Sequence, residues 1–326
     1  MVAGQKPACI AGWGTNSAVK ILASRRFPGP AWDELRDVEY YEGSLTAPRP
    51  DVDALAVVGE VIDARTLELF PNLRLVANYG VGYDDIDVAS CAARGVAVTN
   101  TPGVLNAATA DLALALILAT RRRVVESDSF VRTGRWGTDW ASTTLLAQEV
   151  SGATLGIVGL GRIGKAVARR ARGFEMRLLY TKRERLPADE EHELGLDYRD
   201  LDDLLREADI VTVHVPLAAE TELLLDARRL GLLHDGACLV NTARGALIDE
   251  PALVAELAAG RIRAGLDVFT DEPNVPPELL ELPNVVLTPH LGSATQETRE
   301  AMTRVLVDNL QAAEAGRPLP NPVYAS

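Results

Sequence analysis

Short apolar runs alternate with helix-length amphipathic stretches along most of this 326-residue chain. Ala8–Ala11, Ala54–Val58, Leu73–Ala77 and Val96–Val98 have the length and apolar density of buried strands, while Asp63–Leu69 and Ile86–Arg94 read as helices. That rhythm predicts a parallel sheet, because parallel neighbours need a crossover and a helix supplies it. After Thr101-Pro102-Gly103 comes a predicted helix at Ala107–Arg123, apolar around nearly its whole circumference through Thr120, and then a segment, Phe130–Glu149, that carries Trp136 and Trp140. A second alternating series places strands at Thr154–Val158, Arg177–Tyr180, Ile210–His214, Ala237–Asn241, Ile262–Asp267 and Val285–Thr288, matching the six of a full doubly wound sheet. Glu297–Glu314 predicts a last helix that crosses back to the N-terminal part, followed by a Gly/Pro-rich tail at Gly316–Pro322.

The length suits two domains, each with its own core. A formal net charge of −13 argues against a nucleic-acid surface or an anionic membrane face, both of which select basic patches. An anionic substrate would then need local positive groups. Three cysteines, Cys9, Cys91 and Cys238, show neither paired nor metal-ligand spacing, so a reduced, cytoplasmic protein without disulfides or metal is expected. Residues 1–15 lack a signal-like apolar core, and no apolar run approaches the ~20 residues of a membrane span.

The most informative local feature is Gly156-Ile157-Val158-Gly159-Leu160-Gly161-Arg162-Ile163-Gly164. It places a G-x-G-x-x-G array between a predicted strand and a helix-like Lys165–Arg172. In that context Gly159 permits the tight turn, Gly161 lets backbone approach a pyrophosphate, and Gly164 lets helix and strand pack closely. The helix N-terminus then faces the anion. A dinucleotide site follows.

An acidic residue at the end of the second strand usually accepts hydrogen bonds from a free ribose 2′-hydroxyl. Here the chain has Thr181-Lys182-Arg183-Glu184-Arg185, with Thr181 where the carboxylate would stand. Lys182, Arg183 and Arg185 could instead clamp a 2′-phosphate through charge-assisted hydrogen bonds. This predicts a preference for NADP(H), with NAD(H) as the alternative.

Of the four histidines, His290 has the setting of an acid or base, at the carboxyl end of the last strand where open α/β sheets bind ligands. His214 also ends a strand but has no acidic partner in sequence, and reads as structural or cofactor-lining. His192 and His234 read as exposed. Arg244 follows one strand and suits a carboxylate; Asp267 and Glu272 follow the next. An arginine, two acids and a histidine thus converge at the carboxyl ends of three successive strands.

With these motifs in hand, and with Asn78-Tyr79-Gly80-Val81-Gly82-Tyr83-Asp84 added, the chain resembles the D-isomer-specific 2-hydroxyacid dehydrogenases over nearly its whole length. The resemblance implies a doubly wound Rossmann cofactor domain, residues 103–292, inserted into a flavodoxin-like parallel α/β substrate domain, residues 1–102 and 293–326. It implies Arg244, Glu272 and His290 as the catalytic trio, with Val81 and Gly82 amides joining Arg244 on the substrate carboxylate. The cofactor would lie along Thr109, Gly159 to Gly164 (including Leu160, Arg162 and Ile163), Thr181, Lys182, Arg183, His214, Pro216, Thr242, Ala243 and His290, with Asp267 orienting the nicotinamide carboxamide. Closure is expected to hinge at Thr101–Gly103 and His290–Gly292.

The expected activity is NADPH-dependent reduction of a small 2-oxo acid of the glyoxylate/hydroxypyruvate type. Alternatives are a 2-ketogluconate- or pyruvate-type reductase of the same family, and a non-enzymatic nucleotide-sensing co-regulator. A homodimer is expected, with the helix at Ala107–Thr120 in its interface.

Overall fold

The computed structural model describes residues 19–43 and 45–324. The strand expected at Ala8–Ala11, and Cys9, lie outside the described residues. The chain divides into two compact units, one of residues 106–293 and one of the segments on either side of it.

In the flanking unit five parallel strands, β1 (Ile21–Ala23), β2 (Val38–Tyr40), β3 (Ala54–Val57), β4 (Leu75–Asn78) and β5 (Ala97–Thr99), run in the order β2-β1-β3-β4-β5. This is the flavodoxin-like order. The tail adds a two-residue strand, Pro322–Val323, antiparallel to β5. Asp63 and Asp87 start the crossover helices Ala64–Glu68 and Val88–Ala93 by accepting from the amides of Thr66 and Ser90 at 2.8 and 2.9 Å. The long helix Gln296–Glu314, capped by Thr295, buries Met302, Leu306 and Leu310.

The central unit has seven parallel strands, β6 (Thr154–Val158), β7 (Arg177–Thr181), β8 (Leu196–Tyr198), β9 (Ile210–Val213), β10 (Cys238–Asn241), β11 (Arg263–Leu266) and β12 (Val285–Leu287). Their order is β8-β7-β6-β9-β10-β11-β12, the doubly wound arrangement with one strand appended. Six strands were expected; the additional one is the edge strand β8. Only Leu196 of its three residues is buried, so it leaves no apolar run in the sequence. Strand order reverses between β6 and β9, which opens a crevice at their carboxyl ends.

The helix expected at Ala107–Arg123 spans Asn106–Arg121, and Arg123 turns left-handed (φ 53°) before a second helix, Val124–Arg132. Ala110, Ala113, Leu114, Leu116 and Ile117 are buried in the unit's own core, and a Cβ on Gly265 of β11 would lie 3.0 Å from Leu116 Cβ. Most of the apolar circumference is thus covered within one chain, while Ala107 and Ala115 stay exposed. The segment that follows the helix carries six large exposed apolar residues: Val124, Val125, Val131, Trp136, Trp140 and Leu146. No helix among the described residues is long and apolar enough to cross a membrane.

Candidate active site

The glycine motif forms the turn that its spacing predicts. Gly159 has φ 94°, and a Cβ there would lie 2.6 Å from the His214 carbonyl oxygen, so only glycine lets the β6 and β9 ends approach this closely. A Cβ on Gly164 would overlap the Gly159 carbonyl. By contrast nothing lies within 4 Å of the Cβ position of Gly161, which caps the helix Arg162–Ala171 without any side-chain cap bond. Open space over an uncapped helix N-terminus fits a pyrophosphate. Arg162 is exposed and Ile163 half-buried, but the Leu160 side chain is core, so only its backbone can meet a cofactor.

His214 has its Nε2 2.9 Å from Thr212 Oγ1. Part of the residue's surface is open, but burial of the ring pushes its pKa down to about 4, so it is neutral near pH 7. That suits lining and not proton transfer. Pro216, two residues on, is exposed, and Thr242 at the end of β10 has a buried hydroxyl without a partner among the described residues.

At the ribose end the basic cluster separates. Thr181 and Lys182 are half-buried and Arg183 is exposed, donating from Nη2 to Glu220 Oε1 at 2.7 Å. Arg185 was expected to join the phosphate clamp. Instead its Nε and Nη2 donate to Glu191 Oε1 and Oε2 at 2.8 and 2.9 Å, while Tyr180 Oη donates to the same carboxylate at 2.6 Å. Arg185 first, then Tyr180, hold the Glu191 carboxyl down at about 2 against the opposing effect of burial. Arg185 therefore braces the loop.

The acid–base cluster lies at the ends of β10, β11 and β12. The His290 Nδ1–H donates to Glu272 Oε2 at 2.7 Å, and the other carboxylate oxygen, Oε1, accepts from the Phe269 amide at 3.1 Å. Burial raises the Glu272 pKa, but the His290 hydrogen bond and charge, the Phe269 amide and the Arg244 charge together lower it below the ordinary value. Arg244 sits in a turn tied by Asn241, whose Oδ1 accepts from the Ala243 amide at 3.0 Å and whose Nδ2 donates to the Arg244 carbonyl at 2.7 Å. The next residue, Gly245, packs where a Cβ would overlap the Phe269–Thr270 peptide. One backbone contact thereby registers the Arg244 turn against Phe269, whose amide holds Glu272.

Asn241 and Gly245 were not singled out from sequence. An Asn two residues before a turn amide is the available signal, since such side chains bond nearby backbone. Asp267 is wholly buried. Its Oδ1 accepts from Thr288 Oγ1 at 2.6 Å and the Leu291 amide at 2.7 Å, and its Oδ2 from the Gly292 amide at 2.9 Å. Thr109 Oγ1 donates to the Gly292 carbonyl at 2.9 Å. Residues 290–292 are thus pinned within the central unit. The division between the two units follows directly, after Ser293.

In the flanking unit, Val81 and Gly82 follow β4. Their carbonyls accept from Asn100 Nδ2 at 2.9 Å and Asn78 Nδ2 at 2.7 Å, whereas their amides have no protein partner among the described residues. A loop held by its carbonyls keeps its donors for an anion.

A glycine-turn cradle at the switch point of a doubly wound sheet, with a histidine–carboxylate pair and an arginine at the neighbouring strand ends, defines a nicotinamide-dependent oxidoreductase. Residues 114–292 match the model of the D-isomer specific 2-hydroxyacid dehydrogenase NAD-binding domain. A glyoxylate reductase of Pyrococcus furiosus is 49% identical over 300 residues, covering 90% of this chain and 88% of its own. One from Korarchaeum cryptofilum is 50% identical over 275 residues, covering 83% and 82%. The crystal structure of an NADPH-dependent glyoxylate/hydroxypyruvate reductase of Sinorhizobium meliloti, in complex with NADP and malonate, aligns with TM-score 0.85 and 39% identity over 94% of this chain and 97% of that one. The chain belongs to the D-isomer-specific 2-hydroxyacid dehydrogenase family.

Proposed function

We propose that this oxidoreductase reduces a small 2-oxo acid, of the glyoxylate or hydroxypyruvate type, to the D-2-hydroxy acid with NADPH as the preferred cofactor. The observation that carries the reading is the 2.7 Å bond between His290 Nδ1 and Glu272 Oε2. With Nδ1 engaged, Nε2 is the ring atom left to deliver a proton to the substrate oxygen, and the carboxylate fixes the orientation in which the ring presents it. Arg244 binds the substrate carboxylate and stabilises negative charge developing on the adjacent carbonyl. Val81 and Gly82 are proposed to add backbone donors to the same carboxylate.

The bound cofactor supplies the hydride. Gly159 to Gly164 would hold its pyrophosphate, Lys182 and Arg183 a ribose 2′-phosphate, and Thr181, His214, Pro216, Thr242 and Ala243 its flanks. Thr109 and Asp267, whose polar atoms already hold the His290 loop, would act on the nicotinamide end chiefly by keeping that loop in place.

No basic side chain other than Arg94 falls between Asn78 and Pro102, so a second substrate anion would be poorly matched. Glyoxylate and hydroxypyruvate therefore rank ahead of 3-phosphohydroxypyruvate and oxaloacetate, with pyruvate and 2-ketogluconate as the alternatives within the family. The relatives named glyoxylate reductase support this ranking. Steady-state kcat/KM over that panel with NADPH and NADH tests it; highest efficiency on a dianionic substrate would sink it. A cytoplasmic homodimer remains part of the proposal.

A further inference from the structure

Three cations follow β7 at the ribose end, and two of them are held by carboxylates of very different standing. Glu191, which holds Arg185, is 8% exposed and accepts three hydrogen bonds, so it is a fixed part of the loop. Glu220 holds Arg183 through a single bond of 2.7 Å, with the two side chains 61% and 81% exposed. A pair so exposed is weak and easily exchanged.

Its position gives the exchange a consequence. Arg183 follows β7, Glu220 follows β9, and β6 lies between those strands in the sheet. The ion pair therefore spans the carboxyl end of β6, the strand that leads into the glycine turn. A dinucleotide seated on that turn brings its ribose to this bridge.

We propose that Glu220 is a specificity-determining residue for the cofactor: it is the carboxylate that a ribose 2′-phosphate displaces from Arg183. The proposal rests on the NADPH reading above. Binding NADPH exchanges one anion for another on the same guanidinium, so its net gain is what remains after the Glu220 contact is given up. A 2′-hydroxyl carries no charge with which to compete, so NADH binds with the bridge in place.

The test is the Kd of NADPH and of NADH for the substrate-free protein, read from nicotinamide fluorescence, in the wild type, Glu220→Gln, Arg183→Ala and the double variant. Glu220→Gln should lower the NADPH Kd about three- to fivefold, the scale of an exposed ion pair, and leave NADH within about twofold. That gain should vanish in the Arg183→Ala background. Glu222→Gln, which removes a nearby charge with no bond to Arg183, should move NADPH by less than about twofold, the scale expected of an exposed unpaired charge.

An unchanged NADPH Kd in Glu220→Gln overturns the proposal. So does a full-sized gain in the Arg183→Ala background, which would make Glu220 a distant repelling charge. If the wild type binds NADH as tightly as NADPH and Arg183→Ala weakens neither, the NADPH reading itself has failed, and that outcome is distinct from the other two.

Discussion

The backbone amide of His290 donates to the carbonyl oxygen of Asp267 at 2.9 Å, so the proposed proton donor is registered directly on the residue that follows β11. His290 has φ 53°, a left-handed conformation that a non-glycine residue holds only when its surroundings impose it. The Asp267 carboxylate supplies that constraint through the amides of Leu291 and Gly292. Asp267→Asn keeps the volume but replaces one acceptor oxygen with a donor. It should cost about 1–3 kcal/mol of stability, as an unsatisfied buried donor does. It should also lower kcat roughly tenfold or more, since a displacement of about 1 Å in a reacting group costs up to ~10²-fold. The NADPH Kd should change little. Weakened NADPH binding at unchanged kcat would mean that Asp267 serves the cofactor alone.

Glu272 predicts an effect on rate through the ring that it orients. The 2.7 Å bond to Nδ1 fixes the direction in which His290 presents Nε2. Glu272→Gln keeps the volume but loosens that orientation, so kcat for reduction should fall by about 10–10²-fold, the scale of a misplaced reacting group, while the NADPH Kd changes little. An unchanged kcat would separate Glu272 from the work of His290.

Glu191 predicts an effect on stability instead of rate. Its carboxyl ordinarily titrates near 4.5 and is held at about 2 in the folded chain by Arg185 and Tyr180. A depressed carboxyl contributes stability that is present above its unfolded pKa and lost as pH falls through the folded one. Thermal midpoints of wild type and Glu191→Gln should differ most above pH 4.5 and converge toward pH 2. A constant difference across that window would remove the ionised pair from the explanation.

Much of the fold is legible because strands buried on both faces leave uninterrupted apolar runs, as at β6, β9 and β10. The edge strands β2 and β8 leave none, and the run of β1, Ile21-Leu22-Ala23, is only three residues long. The helix at Asn106–Arg121 shows the limit of periodicity, since an apolar circumference looks the same whether a partner subunit or the chain's own sheet covers it. At the site, Arg244, Glu272 and His290 are readable because each lies just past a strand and carries a reactive group. Asn241, Gly245 and the brace of Arg185 by Glu191 are not, because they act through contacts between segments that no local spacing encodes.

The proposed homodimer has a candidate surface on the segment that follows that helix. Val124, Val125, Val131, Trp136, Trp140 and Leu146 are all at least half exposed, and so much apolar surface on one segment marks an interface. Sedimentation at micromolar concentration should show a species about twice the 35.0 kDa chain, and Val125→Glu with Val131→Glu should shift it toward the monomer. A wild type sedimenting only as 35.0 kDa would refute the dimer.

The central claim is that His290, held by Glu272, donates the proton in reduction of a small 2-oxo acid. The most direct measurement is the loss of NADPH absorbance on adding glyoxylate or hydroxypyruvate to the wild type and to His290→Ala, with NADPH Kd measured in parallel. The account predicts rapid oxidation by the wild type, a kcat lower by about 10²–10⁴ in the variant, and NADPH binding nearly unchanged. No turnover by the wild type on any 2-oxo acid, or near-normal turnover by His290→Ala, would contradict it.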